Sequence, residues 1–256
     1  MLEFQIAHGQ SFRLLSDTTV KISSISIDQD GNVYTVNKRG TLTKWDLTGS
    51  PLLTFSPSKL GSVTLLEAWQ GLRPFLFYRD FQEFILLDRF LTPSSNYDFP
   101  SLGIGYVQLA TLGIDNNIWV IDINDFSLKK IDLLFKAIIS NTSLEFLLKP
   151  DLHKINFMRE YQNLLFINDE TTGIMVFDNF GNYLRSIGAS GLTQLGFFRN
   201  EVYFLKNQKL NFIDIYNQES RTIDLIEFGE LELVSYYGQY LTIYGDSRLK
   251  FYEIAN

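Results

Sequence analysis

The sequence predicts an all-β chain closed into a six-bladed β-propeller, and three observations carry that expectation. Short apolar and aromatic runs recur with a period near 40. Each run is followed by a strand that ends in an acidic residue. A spare strand stands ahead of the first full unit. The runs begin at Val33, Phe75, Ile118, Leu164, Val202 and Leu241, which are 42, 43, 46, 38 and 39 residues apart. In a chain of strands, that period marks propeller blades, each a four-stranded sheet. The 22 Phe and 13 Tyr agree, because aromatic side chains suit strands better than helices.

The units can be read in order. The first runs through ISID, GNVYTV, TLTKWD and PLLTFS, and the second through LLEAW, RPFLFY, FILLDR and NYDF. The third gives LATLGI, NIWVID, SLKKID and LEFLL, and the fourth FMRE, NLLFIN, IMVFDN and YLRSIG. The fifth gives LGFF, EVYFLK, LNFIDI and RTIDLI. The sixth has SYY, YLTIYG and LKFYEI, and then the chain ends. Its missing strand is supplied by QSFRLLSD at 10–17, which closes the ring and removes the free edges of an open sheet. The blades are expected at 22–56, 62–99, 106–148, 154–188, 192–226 and 231–254 plus 10–17, so one domain uses the whole of 1–256. Residues 133–154 depart from the period. Leu133, Leu134, Ala137 and Ile138 have partly helical spacing, which predicts a short helix or long loop over one face, ended near Pro150.

Charge and composition exclude several function classes. Net charge is −7, and Lys38-Arg39 and Lys129-Lys130 are isolated basic pairs. A protein that tracks a phosphate backbone needs a net basic face, so no nucleic-acid partner is expected. There are no cysteines, which removes disulfides, thiolate metal sites and cysteine nucleophiles. No run of 18 apolar residues is present to span a membrane. Ala7 and Gly9, ahead of Gln10, are small residues where a signal peptidase reads, which sets a processed start beside an ordinary N-terminus.

Asp28-Gln29-Asp30-Gly31-Asn32 resembles half of a calcium loop. Aligned on Gly31, an EF-hand loop would run from Ser26 to Asn37 and lack its bidentate Glu. Asp-Gly between two apolar strands is instead a strong hairpin signal. The recurrent Asp46, Asp88, Asp132, Asp178 and Asp214 are read the same way, as acceptors for turn amides. His8 and His153 have no local partners for a metal or a triad. SLGIGY at 101–106 lacks the third glycine of a nucleotide loop. No metal, cofactor or catalytic residue is expected.

The candidate partner face is the one built from loops joining second to third strands and from the links between blades. It carries Arg79, Asp80, Phe81, Tyr106, Asp169, Glu170, Asp246 and Arg248, beside Lys38-Arg39, Asn124-Asp125 and Asn207-Gln208. Phe81 and Tyr106 offer aromatic surface to a protein, with packing of Phe81 under its own loop as the alternative. Asp169 and Glu170 read as solvated turn charges. Trp45, Trp69 and Trp119 are assigned to the core.

The segment ISSISIDQDGNVYTVNKRGTLTKWDLTG resembles a blade of the NHL or PQQ type. PFLFYRDFQEFILLDRFLTP is similar to single-domain propellers of the Bacteroidota cell envelope. That resemblance implies export to the periplasm or beyond. Six-bladed lactonases, which share this architecture, imply a calcium ion in the channel, and Glu67 and Asp28 are the residues here that would answer to its ligands. The leading expectation is a non-catalytic scaffold with a protein partner. A calcium-dependent hydrolase and a carbohydrate or peptide binder are the alternatives.

Overall fold

A computed structural model describes residues 11–59, 61–70, 72–114, 116–149 and 152–255. His8 and the possible processing site at Ala7–Gln10 lie outside them, as does the expected stop at Pro150.

The first strand, β1 (Ser11–Thr19), belongs to the last blade, and blade I holds β2 (Ser24–Ile27), β3 (Val33–Val36), β4 (Leu42–Trp45) and β5 (Pro51–Phe55). Blade II follows with β6 (Leu65–Glu67), β7 (Phe75–Tyr78), β8 (Glu83–Leu87) and β9 (Pro93–Asp98). Blade III has β10 (Val107–Leu112), β11 (Asn117–Asp122), β12 (Ser127–Asp132) and β13 (Ala137–Ser143). Blade IV has β14 (Ile155–Tyr161), β15 (Leu164–Asp169), β16 (Gly173–Asp178) and β17 (Tyr183–Ile187). Blade V has β18 (Gly196–Phe198), β19 (Glu201–Lys206), β20 (Lys209–Asp214) and β21 (Ser220–Asp224). Blade VI has β22 (Leu233–Tyr237), β23 (Tyr240–Gly245) and β24 (Arg248–Ala255). Its fourth strand is β1 (Ser11–Thr19), which pairs antiparallel with β24 and closes the ring. Two ion pairs, Arg13 with Glu253 and Arg248 with Asp17, cross that closure.

Every blade is an antiparallel meander, so successive turns alternate between two faces. One face carries the turns between first and second strands and between third and fourth strands, and is called the turn face below. The opposite face carries second-to-third loops and the links between blades, and is called the link face.

The core lies between the blades. The largest cluster joins Phe75, Phe84 and Phe99 of blade II to Phe166 of blade IV and Phe197 of blade V. Burying a phenylalanine contributes about 2–3 kcal/mol, so these rings outweigh any single polar contact in the molecule. Trp45 and Trp119 are buried as expected. Trp45 donates to Thr35 Oγ1 at 2.9 Å, and Trp119 donates to Glu160 Oε2 at 2.5 Å.

Two expectations are corrected in blade III. Its fourth strand is Ala137–Ser143, not LEFLL at 144–148, and no helix covers a face at 133–149. Leu133 and Leu134 fall in the turn whose amides bond Asp132, so their spacing from Ala137 and Ile138 has no helical meaning. The run Ile138, Ile139, Thr142 is β-branched and pairs with β12. Leu144 and Leu148 are buried on one hydrogen-bonded turn beyond it.

Candidate functional site

Asp28 answers the calcium question within its own blade. It is buried, and its carboxylate accepts from the amides of Asp30 and Asn32, the Asn32 side chain and the Tyr34 hydroxyl, with the Lys44 ammonium at 3.4 Å. Burial first, and then the charge of the same carboxylate, push the Tyr34 hydroxyl far above the ordinary phenol range.

The channel is crossed by a polar network on the innermost strands. Ser26, Glu67, Thr111, Arg159 and Ser235 all stand on these strands and are buried. Thr111 Oγ1 donates to Glu67 Oε2 at 2.5 Å. The Arg159 Nε lies 3.9 Å from Glu67 Oε1, and its Nη2 reaches Ser26 Oγ at 3.4 Å. Burial raises the Glu67 carboxyl above the usual range, against the pull of Arg159 and the Thr111 hydroxyl. Glu67 and Asp28, suggested by the lactonase resemblance, are therefore engaged by different partners. Among the described residues, no three His, Asp or Glu converge on a point.

The eight residues expected to face a partner are spread over the link face. Arg79 and Asp80 are exposed on a single 3-10 turn of blade II. Phe81 on the same turn is partly buried. It stacks on Tyr78 at 6.0 Å, and the Lys59 ammonium sits 3.7 Å from its ring centre. Tyr106 is exposed in the link before blade III. Asp169 is buried, not solvated. It accepts from the Lys154 amide and from the amides and hydroxyls of Thr171 and Thr172, so it is a turn acceptor. Glu170 accepts from the Asn156 side chain. Asp246 is exposed, and Arg248 is paired with Asp17 inside blade VI. Phe81, Asp169, Glu170 and Arg248 find their partners within or beside their own blades rather than around one centre.

The turn face gathers a cup and an arc of aromatic side chains, while Phe146, the most exposed ring among the described residues, and Tyr106 stand in links on the opposite face. A cup of about 730 Å³ opens at the mouth of the channel, lined by the first turns of five blades. Trp69 of blade II and Tyr161 of blade IV meet at its floor with ring centres 4.7 Å apart. Phe198, Tyr237 and Tyr240 form its other apolar walls, and among the described residues Arg199, at the rim, is the charged one in its lining. Trp69 is thus only partly buried: it packs against the main core cluster, and its outer side lines the cup.

Outside the cup, the third-to-fourth turns of four consecutive blades carry an exposed ring each. Phe90, Phe135, Phe180 and Tyr216 are 61%, 75%, 77% and 60% exposed. Each projects from a turn held by the recurrent aspartate. Asp88 accepts from the Phe90 and Thr92 amides, Asp132 from Leu134 and Phe135, Asp178 from Phe180 and Asn182, and Asp214 from Tyr216 and Asn217. Asp46 does the same for Thr48 and Ser50 in blade I, without an aromatic. Sequence reading found the aspartates and missed the rings. The signal was present as Asp-Arg-Phe, Asp-Asn-Phe and Asp-Ile-Tyr, in register with the repeat. The Tyr216 hydroxyl donates to Gln162 Oε1 at 3.0 Å and so ties this arc to the cup.

No family model matches the chain, and no curated protein matches it by sequence. Solved structures match it by fold. The chain is similar to the WD40 domain of Pan2 from Neurospora crassa, at 9% identity and a TM-score of 0.63 over 96% of each chain. It is similar to virginiamycin B lyase from Staphylococcus aureus, at 10% identity and a TM-score of 0.62 over 96% of this chain and 100% of that one. It is also similar to BamB from Moraxella catarrhalis, at 9% identity and a TM-score of 0.51 over 95% and 98%. At such identities the likeness is one of fold.

Proposed function

We propose that the protein is a non-catalytic interaction module of the bacterial cell envelope, and that it binds a protein partner through its turn face. The observation that carries this reading is the arc of Phe90, Phe135, Phe180 and Tyr216. Four large rings on consecutive blades are held outward by aspartate-capped turns, where a folded chain gains nothing from exposing them. Aromatic residues are enriched in protein interfaces and supply much of their binding energy. Leu134 and Leu184 extend the apolar surface beside the arc at blades III and IV. Placement in the envelope draws support from the resemblance of the second blade. An extracellular domain of BT4673 from B. thetaiotaomicron also shares the fold, at 12% identity and a TM-score of 0.55, with this chain covering 33% of it.

The test is affinity capture from envelope extracts, comparing the native chain with a variant carrying Phe90→Ser, Phe135→Ser, Phe180→Ser and Tyr216→Ser. The expected result is one protein enriched on the native chain and lost from the variant, with both chains giving the same circular dichroism. Equal recovery on the two chains would overturn the assignment of the face.

A further inference from the structure

We infer that the cup at the channel mouth receives the carboxylate end of a polypeptide whose last residue has an apolar side chain. This deepens the reading above, on which it rests, by naming what the partner inserts.

Three polar side chains of the cup are already allotted within the protein. The Tyr161 hydroxyl donates to the Arg199 carbonyl at 2.7 Å, and the Tyr237 hydroxyl donates to the Gln29 carbonyl at 2.9 Å. The Gln162 amide donates to the Arg199 carbonyl at 3.0 Å while its own oxygen takes Tyr216. With the Tyr161 and Tyr237 hydroxyls turned into the protein, these walls offer ring faces, which match an apolar side chain.

Among the described residues, the charged group of the cup is the Arg199 guanidinium. It is exposed and lies 5.2 Å from the Phe198 ring centre. Among the described residues, no carboxylate pairs with it. Among the described residues no carboxylate lines the cup, and Glu201 and Asp214, which share an adjoining cavity with Arg199, are taken by Arg221 and by the amides of Tyr216 and Asn217, so Arg199 is left to meet an anion. A planar guanidinium matches a carboxylate in two parallel hydrogen bonds. The Gln29 side chain is a further amide donor at the rim.

The backbone fixes where that cation stands. Arg199 holds φ 52°, as Gln162 does at the same turn position of blade IV with φ 50° and Gly238 in blade VI with φ 62°, so the side chain is presented by a turn that the blades share.

The experiment uses the full chain and a defined probe, acetyl-Gly-Ser-Gly-Ser-Gly-Phe with a free C-terminal carboxylate. The same peptide amidated and N-acetylphenylalanine are its comparators. Proton–nitrogen correlation spectra follow the Trp69 indole, assigned with Trp69→Phe. The free acid is expected to shift that resonance and to bind about tenfold more tightly than the amide. Arg199→Gln should bring the acid to the level of the amide while leaving the rest of the spectrum in place. Equal binding of acid and amide, or no shift at millimolar peptide, would overturn the inference. N-acetylphenylalanine binding as tightly as the peptide would also overturn it, in favour of a free small carboxylate. If the peptide fails while the four-ring variant still loses the captured partner, the cup assignment fails alone and the interaction face stands.

Discussion

Gly196 and Tyr203 share one volume at the channel. A Cβ on Gly196 would lie 2.1 Å from Cζ of the Tyr203 ring. Gly196 stands on the innermost strand of blade V and pairs directly with Tyr203. Where other blades put a side chain on this strand, blade V leaves a gap, and the tyrosine of the neighbouring strand fills it. Its hydroxyl accepts the Tyr236 amide of blade VI at 3.0 Å, so the missing side chain permits a bond between blades. Gly196→Ala is expected to cost about 1–3 kcal/mol through overpacking. Tyr203→Phe, which strands the buried Tyr236 amide, should cost about 1–3 kcal/mol. Urea unfolding of the two single variants measures both.

Asp28 should behave as a turn acceptor. Asp28→Ala removes the acceptor for two amides and for the Tyr34 hydroxyl, and leaves the Lys44 ammonium without its carboxylate. A loss of about 2–4 kcal/mol is expected for a buried charged acceptor of this kind. Native-chain melting curves in millimolar calcium and in EDTA should superimpose. A calcium-dependent rise in Tm that Asp28→Ala abolishes would show instead that the turn binds the ion.

Acid should unfold the protein through its turn aspartates. Burial pushes the Asp169 carboxyl up, but the bonds from Thr171, Lys154 and Thr172 outweigh it and hold the pKa below the usual range. At Asp178 burial is likewise outweighed, by Asn182, Phe180 and Gly181, and at Asp46 by Ser50, Thr48 and Gly49. A depressed folded pKa means that the unfolded chain binds more protons in this range. The stabilisation is complete above the unfolded value, about 3.9, and is lost as pH falls through the folded values. Asp169→Asn should lower stability at pH 7 by about 1–3 kcal/mol and flatten the fall of stability below about pH 4. Denaturant titrations across pH 2.5 to 7, on the native chain and the variant, read both effects.

Ring closure should be indispensable. Without β1, strand β24 becomes an open edge, and the pairs Arg13–Glu253 and Arg248–Asp17 are lost. An exposed edge of that length is a template for pairing between chains. A chain starting at residue 20 is expected to be aggregated in size-exclusion chromatography. A monomer with native circular dichroism would show that three strands suffice for blade VI.

Much of the fold was legible because a repeat multiplies weak signals. Asp46, Asp88, Asp132, Asp178 and Asp214 each look unremarkable, but their common place in the period identifies one turn chemistry used five times. Blade III misled because Leu133, Leu134, Ala137 and Ile138 sit at helical spacing across a turn and a strand. Periodicity over four residues cannot tell these apart when the turn aspartate is not used as a boundary. The aromatic arc was equally readable, two or three positions beyond that aspartate. The cup was not, since its floor joins Trp69 to Tyr161, which are 92 residues apart in the chain.

The sequence by itself determined the number of blades, the strand that closes the ring and the turns that hold each blade, because these depend on local patterning repeated at a fixed interval. Only the tertiary structure decided which side chains meet at the channel: Glu67 with Thr111 and Arg159, and Trp69 with Tyr161 below the Arg199 rim. Those contacts join different blades, and which groups converge there depends on how the ring closes. The period fixes the interval between blades but not which residues the closed ring brings together at its centre.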